Sequence, residues 1–279
     1  MAGIPEPPQR GVNSPFFSPK SVFWRVNREM ACAFAAPRAV LMQIAHPLVA
    51  AGVAEHSEFR KHRFARLYRT AFAAAAITFG SRDFALRAVK TVNQRHHVVH
   101  GVLNTEAGIF PAGTPYDAND PDLKLWVLST ITDSTLLAYE LFVAKLSAED
   151  RELYYKDSLT AANLFGIPSN IVPPTYDDFQ VYMDRMMKSG AIQVSDQAMD
   201  IRRALFARTP SGLLLFAGSA VGIALLPQRL REEFGFSWRV EQKRWLQRLP
   251  AISRILRRWT PSILCANPAA TASELLLPR

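Results

Sequence analysis

Helix starts are written into this chain at three places, and they limit what it can become. Asp120 is followed by Pro121, Ser147 by Asp150 three positions on, and Thr175 by Asp178 at the same interval. A short polar side chain at the N-cap accepts from free N–H groups of the first turn, and proline fits the first helical position because its missing N–H would have had no partner. Each signal opens a run with 3.6-residue apolar spacing. From Asp120 the pattern reaches about Leu146, with Leu123, Val127, Thr130, Ser134, Leu137 and Leu141 on one face, its hydroxyls expected to bond backbone carbonyls. From Ser147 a helix should stop at Gly166, before Pro168. From Thr175 another runs through Phe179, Tyr182, Met183 and Met186 to Gly190. No run alternates convincingly with a period of two, so the expected fold is all-α, a single globular multi-helix domain.

Upstream, residues 1–19 are proline-rich and read as an irregular arm. Residues 20–35 predict a helix with Val22, Phe23, Val26, Met30 and Phe34 inward, ending before Pro37. A second helix, from about Arg38, carries Leu41, Ile44, Ala45 and Leu48 and is apolar on nearly every side, so it should be central. His46-Pro47 within it predicts a kink, with His46 either bonding backbone that the proline frees or lining a pocket. Gly101–Asn119 holds Gly108, Pro111, Gly113 and Pro115 and reads as a loop; Phe110 and Tyr116 are its candidate anchors, and its length makes it a candidate lid. The helical domain is placed at residues 20–235, and residues 236–279 form a basic amphipathic helix and tail on its periphery.

With 279 residues, 49% of them hydrophobic, the chain can bury a substantial core, and no Ser/Gly-rich or charged linker divides it. Cys32 and Cys265 are too few for a disulfide framework, which points to a reducing, cytoplasmic setting. The net charge of +9 is scattered over the first half and concentrated between Arg239 and Arg258, without a zinc-knuckle or RNP-like pattern, so nucleic acid is not the expected partner. The apolar run 212–226 falls short of the ~20 residues that span a bilayer and reads as a core helix. The stretch from Trp238 to Trp259, with Arg229 and Arg231 before it, is a candidate for peripheral contact with an anionic membrane.

All six histidines fall between His46 and His100. If residues 83–103 are helical, Ala85, Val89, Val92, His96, Val99 and Leu103 share one face, and His96 is its one polar member. His97 then points outward and His100 sits one turn beyond His96. A buried imidazole needs partners for both ring nitrogens, supplied by a backbone carbonyl, by water or by a metal. On the preceding helix, residues 62–79, bulky Phe64, Leu67, Tyr68, Phe72 and Phe79 serve for packing, while Arg66, Arg69, Thr70 and Ala73 share another face. That face is cationic at one end and small at the other, so a flat ligand with an anionic edge could approach it; the alternative is an ordinary solvated arginine face. Glu55, His56 and Glu58 offer acid and base groups near a helix end. The chain has no GxSxG elbow, GxGxxG, P-loop, HExxH or paired ExxH motif. His96 and His100 at i, i+4 could share a non-haem metal, though no carboxylate is obviously paired with them.

The run RAVLMQIAHPLVAAGVAEHSEFR, the RLYRT cluster at 66–70 and the HHVVHG, YDANDPDLKLWV and LFGIP segments resemble the rubber oxygenase (latex-clearing protein) and MpaB-type oxygenase family, over roughly residues 20–210. The resemblance implies an all-helical, globin-like core holding haem b. The family's proximal histidine, in an H-x-x-V-x-G pattern, matches His96, with Val99 and Gly101 following it. Its distal arginine and neighbouring polar residues match Arg66, Arg69 and Thr70, and its distal glutamate matches Glu55 or Glu58. The candidate catalytic set is therefore Arg66, Arg69, Thr70 and Glu55, and the cofactor-binding set His96, Arg66, Arg69 and His100, with His96 on the iron. Trp126-Val127-Leu128 stands where many relatives read WVH, and no twin-arginine export signal is present; both departures point away from polyisoprene cleavage outside the cell. The implied activity is haem-dependent use of O2 to oxygenate or cleave an apolar, isoprenoid or lipid-like substrate. The alternative is a non-catalytic haem- or lipid-binding helical protein.

Overall fold

The computed structural model describes residues 14–56, 63–206, 213–236 and 240–276, without the side chains of 63–68, 213–218, 240–247 and 263. Its fold is all-α: helices carry the chain, beside one two-stranded hairpin among the described residues.

The first stretch, expected as one helix, is two pieces. Helix α1 (Val22–Asn27) is capped by Ser21, whose Oγ accepts from the Trp24 N–H, and a 3₁₀ turn follows at Met30–Phe34. The interruption leaves Met30 exposed rather than inward. Helix α2 (Ala35–Ile44) then begins before Pro37 instead of after it. Proline is tolerated there because first-turn N–H groups have no intrahelical acceptor.

Pro47 breaks the chain as expected. Helix α3 (Pro47–His56) leaves the preceding Met30–Ile44 stretch at 100°, and this bent pair is the only one whose length and composition together meet the measure for a membrane crossing among the described residues. No described helix meets it alone. Leu41, Met42, Ile44, Ala45 and Ala50 are instead buried against Trp126, Phe179, Ile192 and Ile201 in the main core.

Helices α4 (Arg63–Phe79) and α5 (Arg82–His96) form a packed hairpin turned at Gly80. Phe72 on α4 is half exposed and meets Phe84 edge-on at 5.8 Å, so it does not join the deep packing expected of it. Strands β1 (His100–Val102) and β2 (Pro115–Asp117) pair antiparallel with Gly101 opposite Tyr116. The expected 101–119 loop is thus tied at both ends, and Tyr116 is its buried anchor.

Helix α6 (Pro121–Phe142) carries its predicted start: the Asp120 Oδ1 accepts from the N–H groups of Asp122 and Leu123. It ends at Phe142, short of the expected Leu146, and lies against α2 at the centre of the molecule. Helices α7 (Ala148–Leu164) and α8 (Tyr176–Lys188) carry the predicted Ser147 and Thr175 caps and end near Gly166 and Gly190, both at positive φ. Helix α9 (Asp196–Leu205) packs on α3, and α10 (Leu213–Ala224) on α2. After α11 (Gln228–Glu233), α12 (Val240–Trp259) lies on α6 and α13 (Pro268–Leu276) on α4.

Candidate functional site

Helix α5 stops at His96, seven residues before the expected end. Val98 and Val99 are β-branched, Gly101 is a poor helix former, and the chain gains a ladder with β2 instead. Val99 and Leu103 therefore leave the helical face to which spacing assigned them, and Val99 turns its N–H back to the His96 carbonyl at 3.0 Å. His96 keeps its own place, half buried on the last turn, while His97 is exposed as expected. The correction also undoes the i, i+4 pair: His100 lies on β1, exposed, and does not stack one turn above His96.

His96 Nδ1 is buried without a hydrogen-bond partner among the described groups, and so is Asn93 Oδ1, three residues earlier on the same face of α5. Each orphaned atom costs about 1–3 kcal/mol unless something unseen bonds it. Burial, and then the Lys124 ammonium, lower the His96 pKa, with Asp117 opposing them. The ring is thus held neutral, which is the form that binds a metal.

Opposite stands α4. A rise of ~1.5 Å per residue puts Arg66 about 20 Å from the hairpin turn and His96 about 21 Å from it, at nearly the same level. Arg69 and Thr70 follow one turn nearer the bend and are exposed. The side chain of Arg66 lies outside the described residues, as do Glu58 and His62. Helix α4 thus packs beside α5, with Arg69 and Thr70 on exposed positions of it.

Glu55 occupies a different arrangement. Tyr116 Oη donates to Glu55 Oε2 at 2.6 Å, and Asn104 Nδ2 donates to Glu55 Oε1 at 3.3 Å. His56 Nε2 lies 3.1 Å from the His100 carbonyl and 3.2 Å from Tyr116 Oη. A carbonyl can only accept, so His56 carries its proton on Nε2 and donates to both. Burial, and then the Glu55 contact, raise the Tyr116 pKa, so the phenol stays protonated and bridges the carboxylate to the imidazole. His100 contributes its backbone oxygen to this chain of bonds.

His46, at the α2–α3 elbow, is buried with its ring 5.3 Å from that of Phe110. The carbonyl that Pro47 frees, that of Gln43, accepts from the His46 backbone N–H at 3.2 Å, so the imidazole is not needed there. Its Nδ1 is a third orphan, and burial lowers its pKa to about 4 against an opposing pull from Asp120.

Two polar groups of α2 also escaped the sequence reading. Arg38 is buried on α2: it pairs with Asp133 at 2.7 Å, donates to Ser134 Oγ at 2.6 Å and reaches the Leu225 carbonyl at 2.9 Å. Ser134 therefore accepts from a guanidinium, whereas Thr130 donates to the Val127 carbonyl as expected and also accepts from Gln43. A lone arginine and a lone glutamine in an otherwise apolar helix were the available signals. Trp126, in the segment that departs from WVH, donates its indole N–H to the Met42 carbonyl and fastens α6 to α2.

The chain is 24% identical over 231 residues to an uncharacterised protein of Mycobacterium bovis and, equally, to one of Mycobacterium tuberculosis, covering 80% of this chain and 87% of each relative. No solved structure matches. The family described as ER-bound oxygenase mpaB/B'/rubber oxygenase, catalytic domain, matches residues 24–255 and so extends past residue 235 into α12. A match over that much of the chain, taking in the α2–α3 elbow, the α4–α5 hairpin and the β1–β2 strands, places this protein in the mpaB/rubber oxygenase catalytic-domain family.

Proposed function

We propose that this protein is a haem b-dependent oxygenase that uses O2 on an apolar, isoprenoid or lipid-like substrate in the cytoplasm. The observation that carries the reading is the pair of orphaned atoms on α5, His96 Nδ1 and Asn93 Oδ1, on a helix packed against α4, whose sequence carries Arg66, Arg69 and a run of alanines. These residues fit the group. A neutral imidazole with a free ring nitrogen is an iron ligand, and a planar ligand with carboxylate edges suits arginines flanked by alanines. Haem b, when bound, supplies the dioxygen chemistry that side chains do not perform.

The chain's own groups do the rest. His96 would hold the iron, and the Asn93 side-chain oxygen would accept a hydrogen bond from a donor beside it. Arg66 and Arg69 pair with carboxylate edges, and Thr70 offers a hydroxyl at the same face. Glu55 accepts from the Tyr116 hydroxyl and His56 Nε2 donates to the same oxygen, so the phenol is held protonated and oriented. Phe110 and the 103–114 segment cover the elbow above His46 and exclude water from that side.

The test is the absorption spectrum of purified protein supplied with haem b, beside His96→Ala checked for fold by circular dichroism. A Soret band in the wild type, with haem affinity at least about tenfold weaker in the variant, is the expected result. Equal binding in both would remove His96 as the ligand; no binding in the wild type would return it to the core. Addition of O2 to the reduced wild type separates the readings further, because a spectrum that does not respond belongs to a non-catalytic haem carrier.

A further inference from the structure

Helix α12 is mounted inside out. Three polar residues of its second half face the protein: Ser253 Oγ donates to the Phe142 carbonyl at 2.9 Å, Arg254 donates to the Leu141 and Glu140 carbonyls at 3.0 and 2.8 Å, and Arg257 grips both carboxylate oxygens of Glu29 at 3.1 and 2.9 Å. The carbonyls are the unpaired acceptors at the C-terminal end of α6, where cations are favoured. The helix cannot roll to bury another face without breaking these bonds. Its outer face is consequently apolar: Ile252, Ile255, Leu256 and Trp259, at i, i+3, i+4 and i+7, are 39%, 58%, 60% and 85% exposed, and Leu264 just beyond the helix is 72% exposed. A stripe of this kind on a charged protein calls for a partner.

What flanks the stripe indicates the partner's chemistry. An open cleft of about 440 Å³ lies between α12 and the end of α6, lined by Val143, Ala144, Lys145, Arg254, Arg257 and Arg258. Arg254 and Arg257 are occupied by the protein, but Lys145 and Arg258 are exposed and make no ion pair among the described residues. Arg248 is exposed on the same helix at a position that borders the stripe. Among the described residues, no acidic side chain lines the cleft. Cations beside an exposed aliphatic and tryptophan face match an acyl layer topped by phosphate-bearing headgroups, with the long basic side chains extending to the headgroup level.

We infer that the outer face of α12 docks on an anionic phospholipid surface, with Ile252, Ile255, Leu256 and Trp259 entering the acyl boundary and the Lys145–Arg258 cleft receiving a headgroup phosphate. This does not rest on the oxygenase reading, since none of these residues belongs to the α4–α5 site. The test is flotation of the full chain with vesicles of phosphatidylcholine alone and of phosphatidylcholine carrying about one-fifth phosphatidylserine. Binding to the anionic vesicles only, weakened about tenfold by Lys145→Gln with Arg258→Gln and abolished by Ile255→Ser with Trp259→Ser, is the expected result. Both pairs are exposed, and unchanged circular dichroism controls for folding. Failure of the wild type to float, or equal flotation of wild type and both pairs, overturns the inference. So does a concentration-dependent dimer that Ile255→Ser with Trp259→Ser disperses without any vesicle binding, which would make the stripe a contact between copies. Protection of the cleft by inorganic phosphate without flotation would likewise overturn the lipid assignment.

Discussion

His46 owes its state to the proline behind it. Pro47 ends α2, the Gln43 carbonyl finds the His46 N–H, and the imidazole is left buried against Phe110 with its pKa lowered to about 4. In the unfolded chain the ring titrates near 6.5, so between the two values the unfolded state binds more protons. The stability tied to the neutral ring is complete above pH 6.5 and is lost as the pH falls toward 4, a difference on the order of 3 kcal/mol. Urea unfolding of His46→Leu should show a shallower loss of stability across that window than the wild type; parallel curves would mean that the ring is not desolvated. At this scale the sequence was informative about His96, His97 and Tyr116 and silent about Asn93, Arg38 and Gln43. The difference is physical: an inward histidine betrays itself by spacing, whereas a polar residue buried by a neighbouring element looks like any surface residue.

The hairpin β1–β2 shows what an element adds. Gly101 stands opposite Tyr116, and a Cβ on it would lie 2.6 Å from the phenol oxygen and 2.8 Å from the ring carbon that bears it. Glycine is required here for room, since its φ is ordinary. Gly101→Ala should therefore push the phenol off Glu55 and His56 and cost about 1–3 kcal/mol. It should also bring the Tyr116 titration down toward that of a free phenol in a spectrophotometric pH titration; an unmoved titration would show that the ring accommodates the methyl. The final G of the H-x-x-V-x-G pattern thus acquires a steric reason. The helix caps were legible because they are local, each completed within three residues. The end of α5 was not, because the ladder that wins over the last helical turns is offered by residues fifteen positions further on.

Across the whole molecule, Arg38 is the knot. One guanidinium joins α2 to Asp133 and Ser134 on α6 and to the Leu225 carbonyl after α10. Arg38→Ala would leave Asp133 uncompensated beside an apolar core, and the expected loss is on the order of 3–5 kcal/mol in urea denaturation. Arg38→Lys should recover little of it, because one ammonium cannot reach three partners spread along a planar fork. A full rescue by lysine would reduce the contact to simple charge neutralisation. The inverted mounting of α12 belongs to this scale too: the sequence marked a basic amphipathic stretch, but only the α6 carbonyls and Glu29 turn Arg254 and Arg257 inward.

By itself the sequence determined the all-α class, the starts of α6, α7 and α8, the break at Pro47 and the inward setting of His96, because each depends on spacing, caps or a missing N–H within a few residues. The family resemblance was legible for the same reason, in short motifs whose order survives. Tertiary structure alone decided where α5 ends, that Tyr116 links Glu55 to His56, that Arg38 is buried in a bonded socket and that α12 presents its apolar side to solvent. In each of these the deciding partner comes from a distant part of the chain, and a hydrogen bond or ion pair across that distance leaves no periodic mark in the residues that make it.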